Sequence, residues 1–567
     1  MQIRLLEIEN FRGIKALTWL PSAGINFVLG AGDTGKSTLL DAIALVLSPQ
    51  PSQAALEADY RNMDPSQPFR VKAVVGHLSD DFTARVFPAP LWGWDAAARV
   101  LRSGPDEQHQ IDPVAVIEVE GTADLELIHR ILQPGNEPRI LSVQARSAAG
   151  LWNVNTNRSP DTQLRMSRGS LLEAALGRDQ MRAPAAAAVQ GAAGSLQVPE
   201  ETTNVLKRLS DQMKDAGLDI QELALSLIPS VGQSPVQLLA LVAKSADGSI
   251  PLASYGRGSR QIAMVTLAAG EVHEAPIAVI DEIEAGLEPY RQRALVALVR
   301  NLVRDGGQAF MTTHSPAVLA RLSKGEAWRL RRQGDHSIQP IRGHVERLMH
   351  RDPEALLSRL PIVCEGATEV GVLEYMFQAL AGVDPATFGI HLVDAGGHRQ
   401  ALDFMKAFAE DGYQVGGLVD DESFSSGTRV AITALPSARL FIPPGGRCIE
   451  CAVANALPTA SLESLLEVPA ASGVKPNMVD RLQAVSARLG QQTRLPIAEM
   501  VKSYGEKKVR EAIGEAATGS DWFKSVEAGH ELAAFMHANL RGDNEVMITI
   551  QKLTAWSLEQ VRPQHDA

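Results

Sequence analysis

INFVLGAGDTGKSTLLDAIALVL, residues 25–47, carries the pattern that decides the fold. Five residues of strand type run into Gly30, and a glycine-rich turn follows. From Ser37 the apolar positions Leu40, Ile43, Ala44 and Leu47 recur at helical spacing. The turn itself, GAGDTGKS, fits G-x-x-x-x-G-K-[ST]. Between a strand and a helix, its backbone N–H groups can cradle phosphate. Lys36 can reach the β- and γ-phosphates, and Ser37 can ligand Mg²⁺. The candidate nucleotide-binding residues of this loop are Gly30, Gly32, Asp33, Thr34, Gly35, Lys36, Ser37 and Thr38.

A second stretch completes that reading. In PIAVIDEIEAGLEP (276–289) an apolar strand ends in Asp281 and Glu282. Asp281 is placed to hold Mg²⁺ and Glu282 to polarise an attacking water. Two acids after a strand are common on a solvated edge. Here, however, His314 follows at the end of another apolar strand, AFMTTHSP (309–316). That is where ATP-binding cassettes carry a γ-phosphate-sensing histidine, and the order of motifs resembles theirs. SYGRGSRQ (254–261) is similar to a degenerate cassette signature, with Gly256, Gly258 and Ser259 as its small residues. In such ATPases this segment caps the nucleotide of the other subunit, which implies a homodimer or higher even oligomer. The opening LEIENFRGIKAL (6–17) resembles the start of DNA-repair and chromosome-maintenance ATPases.

A different chemistry begins at residue 361. PIVCEGATEVGVL (361–373) puts Glu365 at a strand end and Glu369 four residues on, nearly the same face of an opening helix. VDAGGH (393–398) is a strand with a Gly-Gly turn. GGLVDDES (416–423) places Asp420, Asp421 and Glu422 at another strand end. Carboxylates at the carboxyl ends of parallel strands converge in an open α/β sheet. Oxygen-only ligands of this kind favour Mg²⁺ or Mn²⁺.

The order E-G-x-x-E, G-G, D-x-[DE] resembles a Toprim domain. A cassette-type ATPase followed by Toprim resembles the OLD (overcoming lysogenisation defect) family of endonucleases, which includes the Gabija nuclease subunit. The resemblance is strongest over 1–47, 250–320 and 360–450. It implies ATP and Mg²⁺ or Mn²⁺ as cofactors, metal-dependent cleavage of DNA regulated by the ATPase, and a role in anti-phage defence or DNA processing. It also implies dimers held through the ATPase portion and a helicase-like protein as a candidate partner. Carried over residue by residue, Glu365, Glu369, Asp420 and Glu422 match the family's metal acids, with D-x-E here in place of the commoner D-x-D. Glu450, in RCIECAVANAL (447–457), resembles a further acid of the site. KKVREA (507–512) resembles the region of a catalytic lysine, with Lys508 the choice and Lys507 beside it. Where the family's phosphate loop carries an asparagine pair, this chain has Gly32 and Asp33.

The expected architecture is therefore α/β: an ATP-binding cassette-type ATPase head with a helical insertion, then a Toprim Rossmann-like domain and a helical C-terminal region. The expected segments are the N-terminal part of the head at 1–150 and a mostly helical insertion and dimerisation region at 151–245. The C-terminal part of the head takes 246–345, the Toprim domain 355–450, and helices completing the nuclease domain 451–567. Residues 183–194 (APAAAAVQGAAG) read as a linker, and 201–216 as an amphipathic helix with Val205, Leu206, Leu209 and Met213 on one face. At 567 residues and 45% hydrophobic, the chain can bury several cores. A net charge of −12 argues against a protein coated in basic patches, although a local groove suffices for nucleic acid. No apolar run reaches the ~18 residues of a membrane span. The charged opening MQIRLLEIENFRG is unlike a signal peptide, so a cytoplasmic protein is expected. Cys448 and Cys451 form a C-x-x-C, but Cys364 is the only other cysteine, too few for a four-cysteine zinc site. Two small half-buried thiols are expected there. The competing function is a non-cleaving ATP-driven DNA clamp or sensor of the recombination-mediator type, which has no need of four metal acids. A topoisomerase would need a nucleophilic tyrosine, and no tyrosine lies in a recognisable winged-helix segment.

Overall fold

The computed structural model describes residues 1–567 except 50–53, 155–162, 168–169, 178–179, 182, 186–187, 189–196, 228–234, 246–247, 270–275, 421–425, 445–447, 470–476 and 562–567. Glu422 and Asp421, and most of the 183–194 stretch, lie outside the described residues. The chain forms two compact units, Met1–Ile341 and Arg342–Ala567. Among the described residues no helix is long and apolar enough to cross a membrane.

The first unit holds two large sheets. One is antiparallel and eight-stranded, built on Gln2–Phe11, Phe69–Gly76 and Ile111–Gly121. The other has six strands in the order Leu151–Val154, Ile277–Ile280, Gln308–Thr312, Gly24–Leu29, Ala327–Gln333, Asp335–Pro340, parallel except for the last hairpin. Helix Lys36–Val46 packs against strands of both sheets. The sequence suggested one apolar face, but Leu39, Leu40, Ala42, Ile43, Ala44 and Val46 are all buried. A helix enclosed by two sheets is apolar nearly all round.

The 151–245 segment, expected to be mostly helical, holds strands as well as helices. Leu151–Val154 is an edge strand of the six-stranded sheet, pairing in parallel with Ile277–Ile280. Glu222–Leu227, Leu239–Ser245 and Gly248–Pro251 make a separate three-stranded antiparallel sheet. The alternation in ELALSL, with Leu223 and Leu225 buried, is a strand period that a helical reading passes over. The amphipathic helix is present as Glu200–Asp215, burying Leu206, Leu209 and Met213.

The second unit is a four-stranded parallel sheet in the order Ile390–Asp394, Leu360–Cys364, Val415–Leu418, Ala438–Phe441. Helices follow from Ile449 to Val561 and share its core through residues such as Trp522, Met536 and Trp556. Two glycines in Val415–Leu418 report how closely the layers approach. A Cβ on Gly416 would stand 2.6 Å from the Trp556 ring, and one on Gly417 would collide with the Met405 thioether. Both faces of this strand are thus covered, as a parallel sheet requires. Gly417→Val should destabilise the second unit by about 1–3 kcal/mol or more through overpacking. Chemical denaturation followed by near-UV circular dichroism checks this, and an unchanged midpoint would contradict the packing.

Candidate functional sites

Parallel pairing sets the first site. Gly24–Leu29, Gln308–Thr312 and Ile277–Ile280 are adjacent and in register, Val28 opposite Thr312 and Ile280 opposite Met311. Their carboxyl ends therefore deliver the 30–37 loop, Thr313–His314 and Asp281–Glu282 to one edge. Gly35 caps the helix with φ 90°, and Asp33 has φ 57°. Aspartate and asparagine tolerate this left-handed region better than most residues, which accounts for Asp33 at a position where the family carries asparagine. The Lys36 ammonium donates to the carbonyls of Gly30 (2.9 Å) and Ala31 (2.8 Å). Burial lowers its pKa, while Asp281, Asp33 and Glu282 act to raise it, so these acids share its electrostatic environment. Gly32, Thr34, Ser37 and Thr38 belong to the same loop and helix start.

Thr312, which the motif reading passed over, ties the acidic pair in place. Its hydroxyl donates to an Asp281 carboxylate oxygen and accepts the Glu282 N–H at 2.8 Å. Glu282 sits at φ 48°, uncommon for a residue with a side chain. His314 is exposed, with its N–H donating to Glu284 at 2.5 Å. Gly256, Gly258 and Ser259 lie at the start of helix Arg257–Ala269. Gly258 is packed so closely on the Gly286 carbonyl that a Cβ could not fit, and Arg257 pairs with Glu282 at 3.3 Å. The signature-like segment thus has firm contacts within its own chain.

The second site lies at the carboxyl edge of the four-stranded sheet. Glu365 and Asp420 follow neighbouring strands, on either side of the point where strand order reverses. A Glu365 carboxylate oxygen accepts the Asp420 N–H (3.2 Å) and contacts His398 Nδ1 (3.2 Å). The Gly-Gly turn puts His398 there, because the Gly397 N–H donates to the Glu365 carbonyl at 2.7 Å. Glu369, on helix Ala367–Ala381, is buried and accepts the Gly366 N–H at 2.9 Å. Glu450, on helix Ile449–Ala456, is buried as well. Among the described residues no three acid, histidine or cysteine side chains stand together as a ready-made metal shell.

Electrostatics nevertheless join these acids. Burial first, then repulsion from Glu450 and Glu365, pushes Glu369 up to about 8. Burial, then Glu365, Glu369 and Glu450, pushes Asp420 up to about 9. Glu450 is raised by burial, with Lys524 opposing. Carboxylates that oppose one another's ionisation in a buried place form a donor set that a divalent cation stabilises.

The candidate lysines differ in their surroundings. Helix Glu506–Gly519 packs on Ile449–Ala456 with Thr518 beside Cys448 (3.0 Å) and Arg510 bonded to the Ala454 carbonyl (2.6 Å). Lys508 is ten residues from Thr518 along that helix, about 15 Å of rise. It is exposed beyond the far end of the Glu450 helix, and Lys507 adjoins it. Lys524 is the lysine whose charge reaches Glu450. It directly follows Phe523, whose carbonyl accepts the Thr368 hydroxyl at 2.8 Å. That bond ties its segment to the Glu369 helix, a tertiary link with no local sequence signal.

Both raised acids favour the protonated form in the fold. Their stabilising contribution is full below the ordinary carboxylate range and is lost as pH rises through about 8 to 9. In EDTA, the Tm of the protein should therefore fall between pH 6 and 9, more than for Asp420→Asn. Mg²⁺ or Mn²⁺ should reduce that fall. Equal pH slopes for both proteins in EDTA would contradict the coupling.

No curated protein matches the chain. The family described as "AAA domain, putative AbiEii toxin, Type IV TA system" matches residues 133–320, which include Asp281, Glu282 and His314. The family described as "Overcoming lysogenization defect protein-like, TOPRIM domain" matches residues 356–421, which include Glu365, Glu369 and Asp420. Similar solved structures include an Smc head bound to the C-winged helix domain of ScpA, at 16% identity and TM-score 0.39, over 60% of this chain and 97% of that one. Another is an Smc head with an extended coiled coil bound to the C-terminal domain of ScpA from Pyrococcus furiosus, at 14% and 0.40, over 62% and 98%. A third is the SMC head domain from Thermotoga maritima, at 11% and 0.32, over 60% and 100%. The chain thus carries a segment similar to an AAA-type ATPase domain ahead of one similar to an OLD-like Toprim domain.

Proposed function

We propose that this protein is an ATP-regulated, divalent-metal-dependent DNA endonuclease that works as a homodimer in DNA processing or defence against phage. The observation that carries the reading is the group of coupled acids, Glu365, Glu369, Asp420 and Glu450, brought by four elements to one sheet edge. An ATP-driven clamp has no use for so unfavourable a buried charge set.

The residues fit Mg²⁺ or Mn²⁺, held by Glu365, Glu369, Asp420 and Glu450. Glu422 of the D-x-E element is a further candidate ligand. Bound metal would supply the positive charge that stabilises the attacking and leaving oxygens of a phosphodiester. His398 holds the Glu365 carboxylate in orientation. Lys524 offers a cation to charge developing on the scissile phosphate. In the ATPase unit, the 30–37 loop and Lys36 receive the phosphates, and Ser37 and Asp281 are the Mg²⁺ ligands. Glu282 orients water, and His314 senses the γ-phosphate. Gly256, Gly258 and Ser259 would face the nucleotide of a second subunit. The resemblance, rather than any basic surface, names DNA as substrate.

Plasmid nicking with Mg²⁺, Mn²⁺ or EDTA, with and without ATP, tests the reading. Asp420→Ala should lower cleavage by about 100-fold or more while ATP binding persists. Intact DNA across both metals and all nucleotide states would favour the clamp, and undiminished cutting by the variant would remove the site. Lys524→Ala should slow cleavage more than Lys508→Ala does.

Lys36→Ala should abolish ATP hydrolysis, and Glu282→Gln should bind ATP without turning it over. Thr312→Val removes a hydrogen bond to a charged acceptor and should slow hydrolysis by about 10-fold or more. A phosphate-release assay reads all three, and wild-type rates in Glu282→Gln would overturn its role.

A further inference from the structure

The C-x-x-C is a closely built pair. Cys448 is the N-cap of helix Ile449–Ala456, and its sulfur accepts the Cys451 N–H at 3.2 Å. The two sulfurs are 2.7 Å apart, and neither is in a disulfide. Helix Glu506–Gly519 closes the other side. A Cβ on Gly514 would lie 2.7 Å from the Cys451 sulfur, so the absence of one lets that helix press Cys451 towards its partner. The Thr518 hydroxyl gives its proton to the Gly514 carbonyl (3.0 Å). It can then only accept from the Cys448 thiol, 3.0 Å away. Cys448 is partly exposed whereas Cys451 is buried, so one sulfur can meet a reagent and the other can resolve the product. Glu450 lies between them in sequence and hydrogen-bonds Cys448, and Cys451 acts on Asp420.

We infer that Cys448 and Cys451 form a reversible thiol–disulfide pair that weakens metal holding at the adjacent acids when oxidised. Disulfide formation stands on the thiol geometry alone; the effect on metal and cleavage rests on the nuclease reading. The oxidant is a low-molecular-weight disulfide such as glutathione disulfide. The Cys448 sulfur, its proton lost to solvent, attacks one sulfur of the oxidant and expels the first thiolate. The Cys451 sulfur, also deprotonated, then attacks Cys448 in the mixed disulfide and expels the second. Two S–H bonds are lost and one S–S bond forms; two electrons pass to the oxidant, which leaves as two thiols. The sulfurs need to approach by less than about 1 Å. Afterwards the single Cys448 proton, shared among Cys451, Thr518 and Glu450, is gone, and the first turn carrying Glu450 is locked. In reducing compartments the disulfides that do form are mostly transient and redox-sensing.

The test uses the full chain treated with glutathione disulfide, then alkylated and mapped by mass spectrometry, with Mn²⁺-induced rise in Tm and plasmid cleavage measured in parallel. The expected result is an intramolecular disulfide in the 448–451 peptide, with Cys364 still reduced. The Mn²⁺ effect should shrink and cleavage should fall about 10-fold, the scale of losing a hydrogen bond to a charged group. Dithiothreitol should restore both. Cys451→Ser and Cys448→Ser should each be insensitive to the oxidant in Mn²⁺ response, so the result does not depend on one variant folding. Independent alkylation of both cysteines after oxidation would overturn the pair, and a disulfide that leaves the Mn²⁺ response unchanged would overturn the coupling. A disulfide with a diminished Mn²⁺ response, in a protein that never cuts DNA, would uphold the pair and reject the nuclease reading instead.

Discussion

Strands paired in parallel all finish at the same edge, so whatever follows them in sequence is gathered there whether or not it is attractive to its neighbours. Both units of this protein depend on that constraint. In the first, three adjacent strands bring a phosphate loop, an acidic pair and a histidine to one edge. In the second, Glu365 and Asp420 emerge from neighbouring strands, where each carboxylate disfavours the charged form of the other. The sheet holds them because its own burial and hydrogen bonding exceed the local repulsion.

Support comes from groups that do not carry the chemistry themselves. Thr312 accepts the Glu282 backbone N–H and donates to the Asp281 carboxylate, so a single hydroxyl ties down the acidic strand end. His398 plays a comparable part for Glu365. Arg257 pairs with Glu282 within one chain, which couples the signature-like helix to the strand end carrying the acidic pair. The pair is half exposed, so its value lies in geometry more than in stability.

The C-terminal helices are part of the second site's construction. They share the core of the four-stranded sheet, and Trp556 lies on the strand that leads to Asp420. One of them brings Glu450 and the paired thiols, and the turn before another brings Lys524. A cut after the parallel sheet would therefore remove Glu450 and Lys524 as well as most of the buried cluster.

The sequence by itself determined the elements and motifs whose information is local. The phosphate loop is legible because a strand, glycines and a helix must adjoin in the chain for backbone N–H groups to converge. Strand ends such as Ile280–Asp281, Cys364–Glu365 and Val419–Asp420 are legible because an apolar run stops at an acid. Alternation in residues 222–227 was also present, but short antiparallel strands between helical stretches are easily absorbed into a helical reading. Only the tertiary structure decided what depends on contacts distant in sequence. Lys508 and Lys524 look alike in the sequence, and helix packing alone carries the first away from Glu450 and the second towards it. Likewise, C-x-x-C spacing says only that two thiols share a helical turn. Their confinement depends on Gly514 and Thr518, more than sixty residues away, because packing between helices has no signature at either partner alone.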